Sequence, residues 1–396
     1  MHLPQRLDVD ELVDKARALR RTECARVGTG RLELFVKVAL RHRASRYPSG
    51  ARASIDRAFE SGLAVRALRD GHDTAGFASS SGLSSEAASW AVDRACSFQA
   101  HVTATTPDSD AGLQEIRWDL DAEVDLTDVS RLLAGAAERT HVQWAEVGTT
   151  IEILVGPNGW MTVRRRHRFW ACLEDGGTQL VAKRGVSGWE ALLESGGDEL
   201  IRASEPEEPE SGSLILTSDA AAPVIASLVG AFHAHGSSPW MQSGRGWSLA
   251  DEPSHPDGLS GGAFDDSGFP ASPKVLAKDG LWVANVEGPG TLRRNSYREP
   301  PLESPSNLTM LSGISSRQPA GAVVAERCRV LRMSPDLWVL ELQLTHRKGL
   351  ESARHRWLRV HPMALLDACS EPFGCPKVTS DGLIAPGLVF EGLQTD

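Results

Sequence analysis

Residues 62–83 read GLAVRALRDGHDTAGFASSSGL, and this stretch decides the fold of the N-terminal half. Small and apolar residues occupy both ends of the stretch, and Asp70–Gly71 lies between them. An Asp-Gly pair is favoured in tight hairpin turns, where the central residues need unusual backbone angles. The stretch therefore predicts two antiparallel strands. A helix from Glu86 to about Gln99 is expected to follow, because Ser84 is well placed to cap it.

Other segments of the N-terminal half show the two periodicities of regular structure. Apolar residues three and four apart indicate helices, whereas alternating apolar residues indicate strands. The predicted helices are Asp8 to Cys24, Val129 to Arg139 and Gly185 to Ala203. The further predicted strands are Leu32 to Ala39, Thr149 to Val155 and Trp160 to Leu173, the last two joined by a turn at 157–159. This mixture predicts an α+β fold in which helices pack on a mostly antiparallel sheet.

An acidic segment that contains two prolines, EPEEPESG at residues 205–212, divides the chain. It has no apolar residue, which is typical of an exposed linker. We therefore predict an N-terminal α+β domain at residues 1–204. The C-terminal domain, residues 213–396, is dense in Gly, Pro, Ser and Trp, and we expect it to be rich in strands and loops.

The charge distribution argues against direct nucleic-acid binding. The net charge is −10 over 396 residues, whereas autonomous nucleic-acid binding needs a concentrated basic surface. The one dense basic run is RRRHR at residues 164–168, which follows Val163. We interpret this run as a strand with a solvated face rather than as a phosphate site.

No segment predicts export or membrane insertion. The N-terminal residues lack the apolar core of a signal peptide, and no apolar run approaches the roughly 18 residues needed to span a bilayer. The six cysteines are scattered and form no CxxC pairs, so neither a disulfide framework nor a zinc knuckle is indicated. We therefore expect a cytoplasmic protein with reduced thiols.

Two blocks of the sequence resemble the TldD/TldE family, also known as PmbA or modulator of DNA gyrase. The first is the hairpin stretch, continued to Ser84. The second contains, in order, SLVGA (227–231), GGAFDDSGFP (261–270), KDGL (278–281), RRNS (293–296) and PSNL (305–308). Their order and spacing match the family pattern. The chain departs from that pattern at Ser267, where the family usually has Glu, and it has no recognisable glycine-rich segment near its C-terminus.

The resemblance implies a division of labour between two subunits. The catalytic subunit of the family carries HExxxH on a helix, in which the histidines and a later cysteine bind zinc and the glutamate moves a proton. The corresponding stretch here is GAFHAHG, residues 230–236, so Gly230 and Ala231 stand where the first His and the Glu would be. The resemblance thus implies a TldE-type subunit without its own zinc motif. Its partner would be a TldD-type subunit that carries HExxxH and binds the zinc.

The resemblance also implies the reaction, which is zinc-dependent hydrolysis of amide bonds inside a chamber that both chains enclose. The expected substrates are small peptides or an N-acylated small metabolite, because related pairs process peptides and peptide antibiotics or carry out N-deacetylation in natural-product biosynthesis. This chain would have no catalytic residue and would supply substrate contacts. The candidate substrate-binding residues are His233, His235, Trp240, Arg245, Asp265, Asp266, Arg293, Arg294 and Asn295.

Two other functions are considered. If residues 233–235 are extended, His233 and His235 could join His255 in a zinc site, which would make the chain a self-contained metalloenzyme. The chain could instead be a binding or scaffold protein without a hydrolase partner. Cys375 is similar in context to the late cysteine ligand of the catalytic subunit, but we interpret it as an idle thiol.

The loop residues also have structural interpretations. Asp265 and Asp266 form either an acid–base pair or a turn that caps and positions its loop. Arg293 and Arg294 either bind a carboxylate or an extended peptide, or lie in a solvated loop.

Overall fold

The computed structural model describes residues 7–45, 54–68, 74–97, 102–103, 116–174, 178–198, 213–235, 247–294, 296–312, 322–334, 337–344, 355–379, 383–391 and 393. Five features of the sequence lie outside the described residues: the turn at Asp70–Gly71, the segment 205–212, Trp240, Arg245 and Asn295. For His233, His235 and Cys375 the backbone is described but the side chain is not.

The N-terminal half forms one eight-stranded sheet, which we call the N-terminal sheet. Its strands are β1 (Leu32–Ser45), β2 (Ser54–Leu68), β3 (Thr74–Ser81), β4 (Val102–Thr103), β5 (Ile116–Leu120), β6 (Val142–Val155), β7 (Met161–Glu174) and β8 (Thr178–Arg184). The spatial order is β4-β3-β2-β1-β6-β7-β5, with β8 paired to the second half of β7. Among these strands, only β5 and β7 pair in parallel. The predicted antiparallel hairpin is confirmed, because β2 and β3 pair from Gly62↔Ser81 to Leu68↔Ala75.

The described part of this half contains four helices: α1 (Val9–Val27), α2 (Ser85–Ser97), α3 (Leu126–Glu138) and α4 (Trp189–Asp198). Helix α1 begins where Asp8 Oδ1 accepts hydrogen bonds from the amides of Asp10 and Glu11, at 3.0 and 3.1 Å. It ends at Gly28, which has φ = 71°, a left-handed angle that glycine adopts without steric cost. The predicted cap of α2 is also confirmed, since Ser84 Oγ accepts from Ala87 N at 3.1 Å.

The two faces of the N-terminal sheet differ in character. Alternate residues of β1, such as Leu34, Val36 and Val38, pack in a core that contains buried residues of α1 and α2. A second core joins residues of β6 and β7 to α3 and α4. The intervening residues, which include Glu33, Phe35 and Lys37, point to the opposite face because side chains alternate along a strand. We call this opposite face the loop face, since loops of the C-terminal half pack against it.

In the described ranges, the C-terminal half forms a ten-stranded sheet. Its strands are β9 (Ser213–Leu216), β10 (Trp247–Asp251), β11 (Lys274–Lys278), β12 (Leu281–Trp282), β15 (Leu308–Ser312), β16 (Val323–Met333), β17 (Trp338–Leu344), β18 (His355–Val360), β19 (Cys369–Val378) and β20 (Ile384–Glu391). Their order is β12-β11-β10-β15-β20-β9-β16-β17-β18, with β19 paired to β20. Strands β13 (Leu292–Arg293) and β14 (Leu302–Glu303) form a separate pair. Helices α5 (Ser218–His235) and α6 (Pro362–Ala368) share the core of this half, in which Phe232 stacks on Trp282 with ring centroids 4.4 Å apart.

The protein therefore has an α+β fold with mostly antiparallel sheets, as the sequence predicts. The first sheet uses residues 32–184 and the second uses residues 213–391. No helix in the described ranges is long and apolar enough to cross a membrane.

Candidate functional site

Helix α5 contains Gly230 and Ala231, the two positions at which the resemblance would place the zinc motif of a catalytic subunit. A side chain at Gly230 would meet open space, with no atom within 4 Å of its Cβ. Neither Gly230 nor Ala231 has a donor atom for a metal, and the described residues contain no group of three His, Cys, Asp or Glu side chains that could hold one. The residues of α5 that are described therefore do not fit zinc, and we derive no catalytic step from this chain.

His233 and His235 lie in the last turn of α5. Residues two apart in an α-helix are about 200° apart around the helix axis, so a shared metal needs the extended backbone that this segment lacks. His255, the third ligand considered, accepts a hydrogen bond at Nδ1 from Asp257 N, at 3.2 Å. These observations argue against a zinc site made of the three histidines.

Asp265 organises the backbone of two loops. Its Oδ1 accepts hydrogen bonds from the amides of Ser267 and Phe269, both at 2.9 Å. Its Oδ2 accepts from Gly290 N at 2.9 Å and from Leu292 N at 3.2 Å. Burial raises the pKa of this carboxyl group, and the backbone donors partly offset that effect. The contacts are those of a carboxylate that caps a turn, which was the alternative to an acid–base role.

Asp266 joins the loop to the N-terminal sheet. Its Oδ1 lies 2.8 Å from Arg164 Nη1 on β7, and its Oδ2 accepts from Arg294 N at 2.6 Å. Arg164 also donates to Phe264 O and to Glu152 Oε2, the latter at 3.1 Å. Burial opposes ionisation of Arg164, but the carboxylates of Asp266 and Glu152 outweigh it and raise the pKa of the guanidinium.

Glu152 is held ionised in this buried setting. It pairs with Lys37 Nζ at 3.0 Å as well as with Arg164. Burial alone would raise the pKa of Glu152, but the charges of Lys37 and Arg164 outweigh it and lower the pKa to about 2.

A second cluster on the loop face contains two arginines and one glutamate. Arg66 forms a bidentate pair with Glu33, and Arg294 Nη2 lies 3.2 Å from Glu33 Oε1. Arg66 also donates to Ser267 Oγ at 3.1 Å. The Arg294 guanidinium lies over the ring of Phe35, 4.7 Å from its centroid. Burial lowers the pKa of Arg294 to about 10, and Arg66 adds to the shift while Glu33 opposes it. Together with Glu152, Arg164 and Asp266, these residues form what we call the seam network.

The basic run at residues 164–168 lies in a strand, as predicted, but the prediction that its charged face is solvated was wrong. Arg164 and Arg166 are buried, because alternate residues of β7 face the loops of the C-terminal half. Arg166 pairs with Asp119 and donates to Gly261 O at 3.2 Å. Asp119 in turn accepts from Ala263 N at 2.7 Å. The run therefore anchors residues 261–266 to the N-terminal sheet.

One further set of contacts explains PSNL at residues 305–308 and the first glycine of GGAFDDSGFP at residues 261–270. Asp251 Oδ1 accepts from Ser306 Oγ at 2.6 Å and from Asn307 N at 3.0 Å. The Asn307 side chain accepts from Ser260 N and donates to Glu252 O, both at 3.0 Å. A Cβ at Gly261 would lie 1.9 Å from Pro253 O, so only glycine permits this approach.

The predicted site residues thus fall into two groups. Asp265, Asp266 and Arg294 come together in buried contacts that position loops, so Arg294 does not lie in a solvated loop. Arg293 donates to Leu292 O and Gly290 O in its own loop, at 3.0 and 3.1 Å. For the remaining candidates, the structure does not describe the side chains of His233 and His235, and Trp240, Arg245 and Asn295 lie outside its described ranges. Their role in substrate binding stays a prediction.

Sequence reasoning missed four members of the network, Glu33, Arg66, Glu152 and Arg164. A signal was present for some of them. In Glu33-Leu34-Phe35-Val36-Lys37 the two charged residues lie on the same face of an otherwise apolar strand, which indicates one fully apolar face and one face that needs charged partners.

No family model matches the chain, and no curated protein matches it in sequence. In fold it is similar to TldE from Thermococcus kodakarensis, with a TM-score of 0.64 over 96% of this chain and 99% of that chain, at 14% identity. A proposed modulator of a DNA gyrase from Thermotoga maritima matches with a TM-score of 0.62 at 14% identity, over 97% of this chain and 100% of that one. Another, from Bacteroides thetaiotaomicron, matches with a TM-score of 0.65 at 13% identity, over 98% and 99%. Over almost its whole length, the chain has the fold of TldE and these modulators, as its resemblance to the TldD/PmbA family implies.

Proposed function

We propose that this chain is the TldE-type subunit of a heterodimeric, zinc-dependent amide hydrolase. The observation that carries the proposal is the pair Gly230 and Ala231 on helix α5, at positions where a catalytic subunit would have a ligand and a base. The fold similarity to TldE over 96% of the chain supports the same assignment. A TldD-type partner with HExxxH would then bind the zinc and supply the catalytic groups.

In this proposal the chain forms part of the wall of a chamber and contacts the substrate. The last turn of α5 contains the candidate binding residues His233 and His235, and the segment from there to β10 contains two more, Trp240 and Arg245. The substrate class is a small peptide or an N-acylated small metabolite, with N-deacetylation in natural-product biosynthesis as one form of the reaction. The seam network would serve this site indirectly, by fixing the loops of residues 261–294 against the N-terminal sheet.

Co-expression with a TldD-type protein, encoded by a neighbouring reading frame, tests the proposal. We expect a stable one-to-one complex in light scattering at micromolar concentrations, because a shared chamber needs a large interface. Elemental analysis should find zinc in the complex and no stoichiometric zinc in this chain alone.

The two rival functions predict different results. A self-contained metalloenzyme would hold one zinc per chain without the partner, and His233→Ala would remove it. A scaffold protein without a hydrolase partner would bind no zinc itself and would form no complex with the TldD-type protein. Monomers in the mixture together with one tightly bound zinc in this chain would reject the subunit assignment.

A further inference from the structure

The C-terminal half contains a cavity of about 30 Å³ between helices α5 and α6 and the sheet. Val224, Leu228 and Phe232 line it from α5, Leu366 lines it from α6, and Trp282 lines it from β12. These side chains belong to the core of this half and are at most 9% exposed. The core is therefore incompletely filled beside α5, although protein interiors usually leave few voids larger than a water molecule.

The cavity has room for water but does not suit it. A water molecule needs roughly 10–15 Å³ of such space and two to four polar partners. Every side chain that the structure places on the wall is hydrophobic, and Trp282 Nε1 donates to Asn285 Oδ1 at 2.9 Å. A void of this kind stays dry and binds apolar groups. The wall residues lack dispersion contacts that an apolar guest would restore.

The cavity lies next to the part of the chain where substrate contacts are expected. Phe232 is the residue before His233, and Trp247, which also lines the cavity, begins β10. The predicted substrate-binding residues Trp240 and Arg245 lie between these two in the sequence. Both ends of that stretch of chain therefore meet at the wall of the cavity.

We propose that this cavity receives a short aliphatic group of the substrate. Its volume is two to three times the space that one water needs, which corresponds to about two to four carbon atoms. The group is an aliphatic side chain of a peptide, such as that of leucine, or a short branched acyl chain. Packing and the exclusion of water hold it, without a hydrogen bond inside the cavity. This inference rests on the proposed function, because that function makes the guest part of a peptide or an N-acylated metabolite.

Ligand binding to the purified chain, without partner or zinc, tests the cavity. N-acetylleucine amide and N-acetylasparagine amide have side chains of similar shape, of which only the first is apolar. N-isovalerylglycine amide and N-acetylglycine amide differ in the acyl chain alone. Tryptophan fluorescence and the shift in melting temperature measure binding, since Trp247 and Trp282 line the cavity.

We expect the aliphatic member of at least one pair to bind about tenfold or more tightly than the other member. A preference in the leucine pair identifies a side chain as the guest, and a preference in the isovaleryl pair identifies an acyl chain. Equal affinity within both pairs would overturn the proposal. Failure to form a zinc-containing complex with a TldD-type protein would instead reject the proposed function, and it would leave the aliphatic preference of this chain unchanged.

Three variants locate the binding in the cavity. Val224→Leu adds one carbon at the wall, so it should weaken binding about tenfold while the ligand-free protein melts no lower than the wild type. Leu228→Ala enlarges the cavity and should lower the melting temperature. It should nevertheless bind N-acetylcyclohexylalanine amide more tightly than the wild type does, a gain that misfolding cannot produce. Val275→Leu, the same substitution at an exposed position of β11, is the matched control and should bind like the wild type. Unchanged affinity in Val224→Leu, or no gain in Leu228→Ala, would reject the cavity as the site.

Discussion

The ring of Tyr297 lies directly against the backbone of Gly62, so closely that a Cβ on Gly62 would be 2.1 Å from Tyr297 Cε2. Tyr297 belongs to the loops of the C-terminal half, and it joins Phe35, Ala64, Leu154 and Trp160 in a small buried cluster on the loop face. The hairpin glycine and the distant tyrosine thus form one contact that locks the two halves together.

Gly62→Ala is expected to destabilise the protein by about 1–3 kcal/mol, because a methyl group here forces a buried ring to move. The midpoint of urea denaturation measures the effect. Gly230→Ala is the matched control, since its Cβ meets no atom and its position on α5 favours alanine by about 0.5–1 kcal/mol. Equal effects of the two substitutions would contradict this account of the contact.

Asp266→Asn should lower the free energy of unfolding by about 3–5 kcal/mol, because it leaves the buried Arg164 guanidinium without its nearest carboxylate. Asp128→Asn is the control, because it removes the same type of carboxylate from an exposed pair with Arg131. We expect it to lower the free energy of unfolding by less than about 0.5 kcal/mol. Chemical denaturation of both variants provides the comparison. A loss for Asp266→Asn as small as that for Asp128→Asn would mean that the pair does not secure the loop.

Stability should fall in acid partly through Glu152. Its folded-state pKa is about 2, below the ordinary value of 4.5 for a glutamate, so the unfolded chain binds a proton more readily than the folded one. The contribution of Glu152 to the free energy of unfolding is therefore fully present above about pH 5 and is lost as pH falls towards 2. This contribution amounts to about 3 kcal/mol at most. Glu152→Gln should be less stable than the wild type at pH 7, and the difference should narrow as pH falls to 3. Denaturation at several pH values checks this, and a difference that stays constant with pH would contradict it.

In the assembled complex, Trp240→Ala or Arg245→Ala should raise KM about tenfold and leave kcat nearly unchanged. A contact that is equal in the ground and transition states affects binding alone, and a tenfold change corresponds to about 1.4 kcal/mol. His233→Ala and His235→Ala should keep measurable turnover, whereas replacing the Glu of the partner's HExxxH should lower kcat by several orders of magnitude. Steady-state kinetics separates these cases. Loss of kcat in either histidine variant, with assembly and zinc content intact, would show that this subunit takes part in the chemistry.

Local features of the fold were predictable because their causes are local. The cap at Ser84, the hairpin of β2 and β3 and the turn at Asn158, which has φ = 63°, all depend on residues within a few positions of one another. Alternation of apolar residues was enough to locate β1 and β7, although β1 continues to Ser45, beyond its predicted segment.

The seam network was not predictable because its partners are far apart in sequence. Arg164 and Asp266 are 102 residues apart, and Arg294 and Glu33 are 261 residues apart. A run of arginines in a strand has the same local sequence pattern whether the guanidinium groups are solvated by water or paired with distant carboxylates. For the FDDSGFP motif the sequence offered either an acid–base pair or a turn that positions its loop. The contacts are those of the turn, since Asp265 accepts from backbone amides and Asp266 pairs with an arginine.

The seam network also limits how the two halves of related proteins can be recombined. Arg66, Glu33, Ser267 and Arg294 contact one another from both sides of the acidic segment 205–212. Consider a chimera that joins the first half of this chain to the second half of a relative with Glu in place of Ser267. It would add a second carboxylate to a cluster in which Arg66 and Arg294 already share the carboxylate of Glu33. We therefore expect substitutions in the two halves to occur together. Recombination at residues 205–212, the apparent domain boundary, would need compensating substitutions in the seam network.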